Sequence, residues 1–333
     1  MNILITGADG FVGTNLLKYL EYNVNTIVAL VYNNSEYLNI IKSSKSNIIV
    51  KKYDANTEFN FLLLLTKYKI DTVIHLAAIT NLNNQTDIYN KFINVNVFSS
   101  IRLIQDSIKY GVTKFIFISS AGIYLTQKPE YKNSEVDEIN TKEIYFFCKS
   151  IVESICNRMN GNCKTIFIIL RVGTLFGEYE FKSDFRYKTS LIRKIIKLLL
   201  QNETIKVYGS DVCRDFFHVE NLANIVNKLI NTSNLKYPIY NVGINQTYSI
   251  KRILEYFSLL YEKCVWVEAD ESDSDIVLYS KDNRSALNTN RILELDNSYP
   301  KISLNDGLLK THNWYKNIMR NNKDGIWQSL TWW

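Results

Sequence analysis

Residues 1–20, MNILITGADGFVGTNLLKYL, set an apolar run, NILIT, against three glycines spaced three apart, Gly7, Gly10 and Gly13, followed by apolar residues at helical spacing. A strand ending at Thr6 and a helix opening near Phe11 leave the glycines in the connection. There one glycine lets the backbone turn sharply, a second admits a phosphate close to the main chain, and the helix N-terminus offers unpaired N–H groups to an anion. The stretch predicts a strand–turn–helix unit that cradles a dinucleotide pyrophosphate on Gly7, Gly10, Phe11, Val12 and Gly13.

Further along, the runs NTIVALVY, NIIVKKY, DTVIHLA, TKFIFIS and KTIFIILRV repeat the strand pattern, separated mostly by longer helical segments. That alternation predicts an α/β fold, a Rossmann-type doubly wound parallel sheet with right-handed crossovers. After Gly177 the rhythm changes: GEYEFKSDFRY reads as loop, KTSLIRKIIKLLLQ as helix, and strand and turn patterns follow near Val207 and Tyr240. The expected division is a dinucleotide-binding domain over 1–173, with a return segment near 214–246, and a smaller mixed α/β lobe over 174–333 that binds substrate.

With 46% hydrophobic and 22% charged residues and three prolines, the 333-residue chain reads as folded rather than disordered. The longest apolar runs, such as Leu62 to Leu65, fall far short of the ~20 residues a membrane span needs, and no signal-peptide pattern opens the chain. A cytoplasmic protein is expected. Five cysteines without a CxxC pair, and three histidines without ligand spacing, predict neither a disulfide framework nor a metal site. The net charge of +6 is not gathered into a basic run, which favours a small anionic ligand over nucleic acid.

A tyrosine four residues before a lysine occurs three times: Tyr110/Lys114, Tyr124/Lys128 and Tyr145/Lys149. Gly111 breaks the first and Pro129 follows the second, so only EIYFFCKSIVESI places both groups on one helical face. A tyrosine, with a pKa near ~10, needs a neighbouring positive charge to exchange protons near neutral pH. Lys149 supplies it.

The G-x-x-G-x-x-G spacing, HLAA at His75 to Ala78, Asn96 with Val97, SSAGIY at Ser119 to Tyr124, Tyr145 with Lys149, RVGTLFG at Arg171 to Gly177, RDFFHVENLA at Arg214 to Ala223, YNVG at Tyr240 to Gly243 and SLNDGLLKTHNWY at Ser303 to Tyr315 come in one order. Together they resemble the extended short-chain dehydrogenase/reductase family, the NAD-dependent epimerase/dehydratase group that modifies nucleotide sugars. The resemblance implies Ser120, Tyr145 and Lys149 as catalytic residues, with Ser120 standing 25 residues before Tyr145 as in the family. It implies cofactor contacts at Asp54, Ala55, Leu76, Ala77, Ala78, Asn96 and Lys149. Substrate contacts are implied at Thr80, Ser120, Tyr145, Thr174, Arg214, Asp282 and Arg284, and the usual assembly would be a homodimer through segments 86–110 and 142–160.

Two departures shape the expected reaction. The acidic residue that in relatives ends the second strand and holds the adenosine ribose is missing near Val31 to Asn33, so NADP(H) or NAD(H) is allowed. The Asp and Glu that follow the catalytic hydroxyl in 4,6-dehydratases are Ala121 and Gly122, which argues against water elimination. The expectation is an NAD(P)-dependent reductase of a nucleotide-diphosphate 4-keto-6-deoxy sugar, with a 4-epimerase and a non-catalytic dinucleotide sensor as alternatives. His75 and His218 read as core or wall residues, and the tail IWQSLTWW as cover for an apolar patch or a partner subunit.

Overall fold

The computed structural model describes residues 1–20, 24–33, 47–55, 57–80, 87–180, 189–261 and 265–321; the Trp-rich tail lies outside them. In chain order the strands are β1 (Asn2–Thr6), β2 (Thr26–Val31), β3 (Ile48–Lys52), β4 (Thr72–His75), β5 (Lys114–Ser120), β6 (Lys132–Asn133), β7 (Ile166–Val172), β8 (Thr174–Phe176), β9 (Ile205–Tyr208), β10 (Cys213–Arg214), β11 (Phe216–His218) and β12 (Ile239–Val242). Then follow β13 (Tyr248–Ser249), β14 (Trp266–Glu268), β15 (Ile276–Val277) and β16 (Ala286–Leu287). Seven of them form one sheet in the order β12-β7-β5-β4-β1-β2-β3, parallel throughout. This is the Rossmann-type arrangement that the strand and helix alternation predicts.

Both faces of the sheet are covered, so its strands are apolar on both sides. Ile3 and Ile5 of β1, with Ile116 and Ile118 of β5, face a core shared with α1 (Phe11–Tyr19), whose Leu16 and Leu17 join it. Leu4, Phe115 and Phe117 face the other core, with α2 (Phe61–Tyr68). On that side lie also α3 (Ile88–Ile93), a π-helical turn over Asn94–Phe98, α4 (Ser99–Tyr110) and α5 (Ile144–Met159). A third core, built on Ile195, Val207, Phe216, Leu254 and Phe257, joins α6 (Leu191–Gln201) and α8 (Ile250–Leu260) to the sheet β14-β9-β15. Between them α7 (Val219–Asn231) packs beside α1, and the described residues close with α9 (Asn290–Leu295) and α10 (Leu304–Asn321). No helix among the described residues is long and apolar enough to cross a membrane.

Strand order reverses between β1 and β4, so their C-terminal ends open a crevice, the ordinary ligand position in such sheets. A buried polar cluster fixes the helix beside it. Arg171 at the end of β7 grips Glu153 of α5, Nη2 to Oε2 at 2.8 Å and Nε to Oε2 at 3.1 Å. Its Nη1 donates to the Tyr124 hydroxyl and the Glu135 carbonyl, both at 3.1 Å. Tyr124 donates in turn to Asn241 Oδ1 of β12 at 2.5 Å. Removing one member of a buried pair strands the other charge. Glu153→Ala should cost ~3–5 kcal/mol in chemical denaturation, and the double change Glu153→Leu with Arg171→Met distinctly less than the sum of the two single changes.

Candidate active site

The glycine turn is built by close approaches rather than by composition. Gly7 has φ +65°, and a Cβ there would meet Ala77 Cα and N at 2.9 Å; one on Gly13 would meet the Gly7 carbonyl oxygen at 2.3 Å. Gly10 differs: it is exposed, and a Cβ there would have only the Gly7 oxygen, at 3.2 Å, within reach. It is also the N-cap of α1, and as a glycine it brings no side chain of its own to cap that helix. A glycine-floored helix N-terminus of this kind fits a pyrophosphate, which Gly10, Phe11 and Val12 would hold.

Opposite the turn, a chain of buried hydrogen bonds shapes the loop after β4. Ser100 Oγ donates to the Asn96 carbonyl at 2.8 Å, which leaves it to accept from His75 Nε2 at 2.7 Å. His75 Nδ1 then accepts from Thr6 Oγ1 at 2.7 Å, while Thr6 Oγ1 accepts from the amides of Leu76 and Ala77 at 3.2 and 3.1 Å. Burial pushes the His75 pKa down to about 3, so the ring is a neutral strut. Asn96 uses both amide atoms on Ile79, accepting from its N at 2.7 Å and donating to its O at 2.9 Å. It therefore acts on the loop Leu76, Ala77, Ala78 and Thr80 as a clamp. Thr80 is exposed, the three residues before Ile79 are half-buried, and beyond β3 Asp54 is half-buried with Ala55 beneath it.

Ser120 closes β5, and its Oγ accepts from Gly122 N at 3.1 Å. Tyr145 and Lys149 lie one turn apart on α5, with the Lys149 ammonium 5.7 Å from the centre of the Tyr145 ring. That ammonium is buried and donates to the Ile118 carbonyl of β5 at 2.7 Å, two residues before Ser120. Burial lowers its pKa to about 8, against the pull of Glu153 one turn further on. The Phe146 ring fills the space beside Gly122: a Cβ at 122 would stand 2.2 Å from its Cζ. The space beside position 122 is thus taken by an aromatic ring.

Arg214, Asp282 and Arg284 come together at a separate wall. Arg214 Nε donates to the Asp282 carbonyl at 3.0 Å, and burial beside Arg284 lowers its pKa to about 10. Asp282 spends a carboxylate oxygen on the Tyr279 amide at 2.9 Å. Asp215 accepts from the amides of Ile244 and Leu287, at 2.8 and 3.0 Å, and Glu220 pairs with Lys310, so neither neutralises Arg214. Thr174 opens β8 beside Phe216 of β11. His218 is a buried wall residue with Nε2 3.1 Å from Glu178 Oε2, and no metal-ligating cluster occurs among the described residues.

Sequence reasoning passed over two residues here. One is Phe146, whose contact partner lies 24 positions away. The other is Asp9, in the glycine turn itself: its Oδ2 accepts from the amides of Tyr32 at 2.9 Å and Asn33 at 2.8 Å, just past β2.

The site carries a stability cost that can be measured. The folded protein binds the Lys149 proton more weakly than the unfolded chain, whose lysine has the ordinary pKa of 10.5. The penalty is therefore full below pH 8 and fades as the pH rises from about 8 toward 10.5. Lys149→Met should raise stability at pH 7 by roughly 2–3 kcal/mol, a gain that urea denaturation should find shrinking by pH 10.

The chain is 25% identical to a putative UDP-glucose 4-epimerase of Methanocaldococcus jannaschii, over 96% of this chain and 99% of that protein. It is also 25% identical to a dTDP-D-glucose 4,6-dehydratase of Dictyostelium discoideum, over 72% of this chain and 58% of that protein. Among solved structures, a UDP-N-acetylglucosamine 4-epimerase from Methanobrevibacter ruminantium in complex with UDP-N-acetylmuramic acid superposes with a TM-score of 0.80 at 22% identity, covering 96% of this chain and 99% of that one. MoeE5 in complex with UDP-glucose and NAD gives 0.78 at 20% identity, covering 96% and 100%. Residues 3–243 match the model of the NAD dependent epimerase/dehydratase family, and the chain belongs to that family.

Proposed function

We propose that the protein is an NAD(P)-dependent oxidoreductase acting at C4 of a nucleotide-diphosphate sugar, and that it reduces a 4-keto-6-deoxy sugar. The observation that carries the reading is the placement of Tyr145 and Lys149 one turn apart on α5, with the Lys149 ammonium bonded to the Ile118 carbonyl of β5, two residues before Ser120. In this reading Ser120 donates a hydrogen bond to the sugar carbonyl oxygen and Tyr145 passes its phenolic proton to that oxygen as the alcohol forms. The Lys149 ammonium favours the phenolate that remains, and the proton is then replaced from solvent. A bound nicotinamide would supply the hydride.

Arg214 and Arg284, with their side chains bonded to main-chain carbonyls, suit a diphosphate. The apolar Phe146 ring close to Ser120 suits a C6 methyl group better than a hydroxymethyl group. The full-length likeness to a putative UDP-glucose 4-epimerase favours the second reading, in which the same residues serve oxidation and re-reduction with no net change of cofactor.

Supplied with a dTDP-, GDP- or CDP-4-keto-6-deoxyhexose, the purified protein should consume one equivalent of NADPH or NADH per sugar. Tyr145→Phe should bind cofactor yet turn over at least ~10²-fold more slowly. Interconversion of UDP-hexoses without net cofactor consumption would establish the epimerase instead, and dinucleotide binding with silence toward every sugar would establish a sensor. The same reading includes a homodimer through α4 and α5, near exposed Phe98 and Phe147. Light scattering at micromolar concentration should then give twice the chain mass of 38.8 kDa.

A further inference from the structure

The end of β2 carries Val31, Tyr32 and Asn33, none of them acidic, yet a carboxylate stands there. It arrives from the opposite side. Asp9, between Ala8 and Gly10 in the phosphate turn, reaches across to the main chain past β2, where one of its oxygens accepts the amides of Tyr32 and Asn33 at 2.9 and 2.8 Å. The turn is held in that position by its own backbone, since Ala8 N donates to the Leu30 carbonyl at 3.0 Å. Among the described residues its hydrogen-bond partners are main-chain amides, and neither lysine nor arginine pairs with it.

A carboxylate carries about four acceptor positions on two oxygens, so two amides on one oxygen leave it able to accept more. In a sheet of this kind the adenosine half of a dinucleotide lies beyond the turn, over the end of β2. A negative charge there accepts from a ribose hydroxyl and repels a phosphate on the same ribose. The rest of the β2 end reinforces the sign, because Tyr32 and Asn33 bring no cation to offset a 2′-phosphate.

We propose that Asp9 is the cofactor-discriminating residue of this protein, selecting NAD(H) over NADP(H) from within the glycine turn. The inference rests on the oxidoreductase reading above only in that a dinucleotide binds at Gly7 to Gly13; it goes beyond that reading by fixing which one. Asp9 holds the β2 loop and reads the ribose with the same group, so the sequence position that ordinarily carries the discriminating acid is free to be neutral.

The test is equilibrium binding, independent of any sugar substrate. Protein fluorescence or calorimetry measures Kd for NADH and NADPH, and for the fragments 5′-AMP and adenosine 2′,5′-bisphosphate, with the wild type and with Asp9→Asn. The wild type should bind NADH at least tenfold more tightly than NADPH, and 5′-AMP more tightly than the bisphosphate; Asp9→Asn should shrink both ratios at least fivefold. Asp9→Ser, which keeps an acceptor for the amides without charge, repeats the measurement if the asparagine variant proves unstable. Equal binding of NADH and NADPH by the wild type, or ratios unchanged in both variants, overturns the role of Asp9 and leaves the oxidoreductase reading standing. Failure of the wild type to bind either dinucleotide overturns both.

Discussion

The grip of Arg171 on Glu153 is the constraint from which the geometry of the catalytic end follows. Arg171 ends a central strand and Glu153 lies one helical turn beyond Lys149, so their pairing decides how far α5 slides along the sheet and which face it turns inward. Lys149 then meets the Ile118 carbonyl, and Tyr145 falls beside it. A buried pair of this kind gives little net stability compared with an apolar replacement; what it contributes here is register, since a guanidinium bonded on three sides tolerates little displacement. Tyr124 and Asn241 extend the same network to β12, so the outermost strand on that side and the catalytic helix answer to one cluster.

Two solutions to burying charge stand side by side in the site. Arg171 is satisfied by a carboxylate, whereas Lys149 and Arg214 are held chiefly by main-chain carbonyls, at Ile118 and Asp282. Partial dipoles orient a cation without neutralising it, and burial accordingly depresses both groups. The protein thus keeps positive charge where a phenolate and a diphosphate would need it, at the expense of stability.

What could be read along the chain was what is local. NILIT, three glycines and an apolar helix lie within twenty residues, and strand-like runs such as KFIFIS carry their own apolar pattern, so the βα rhythm and the sheet class follow from neighbours in sequence. Helical phase likewise singles out Tyr145 with Lys149 among three candidate pairs. Asp9, Phe146 and Glu153 escaped notice because their partners, Asn33, Gly122 and Arg171, are distant in sequence and become neighbours only once the strands are ordered. Asn96 reads along the chain as a cofactor contact, while the bonding of its amide to Ile79, which depends on how a π-helical turn meets a loop, carries no trace in sequence.

The interlock of Gly122 and Phe146 also orders the evolutionary steps open to this chain. A carboxylate introduced at position 122 would meet the aromatic ring of Phe146, so the ring must turn aside or be replaced by a smaller side chain. A chain with that ring already replaced by a small residue would lose the apolar contact beside Gly122, a cost with no immediate return. Substitutions at positions 122 and 146 are therefore coupled, with one order of change hindered by steric overlap and the other by lost apolar contact.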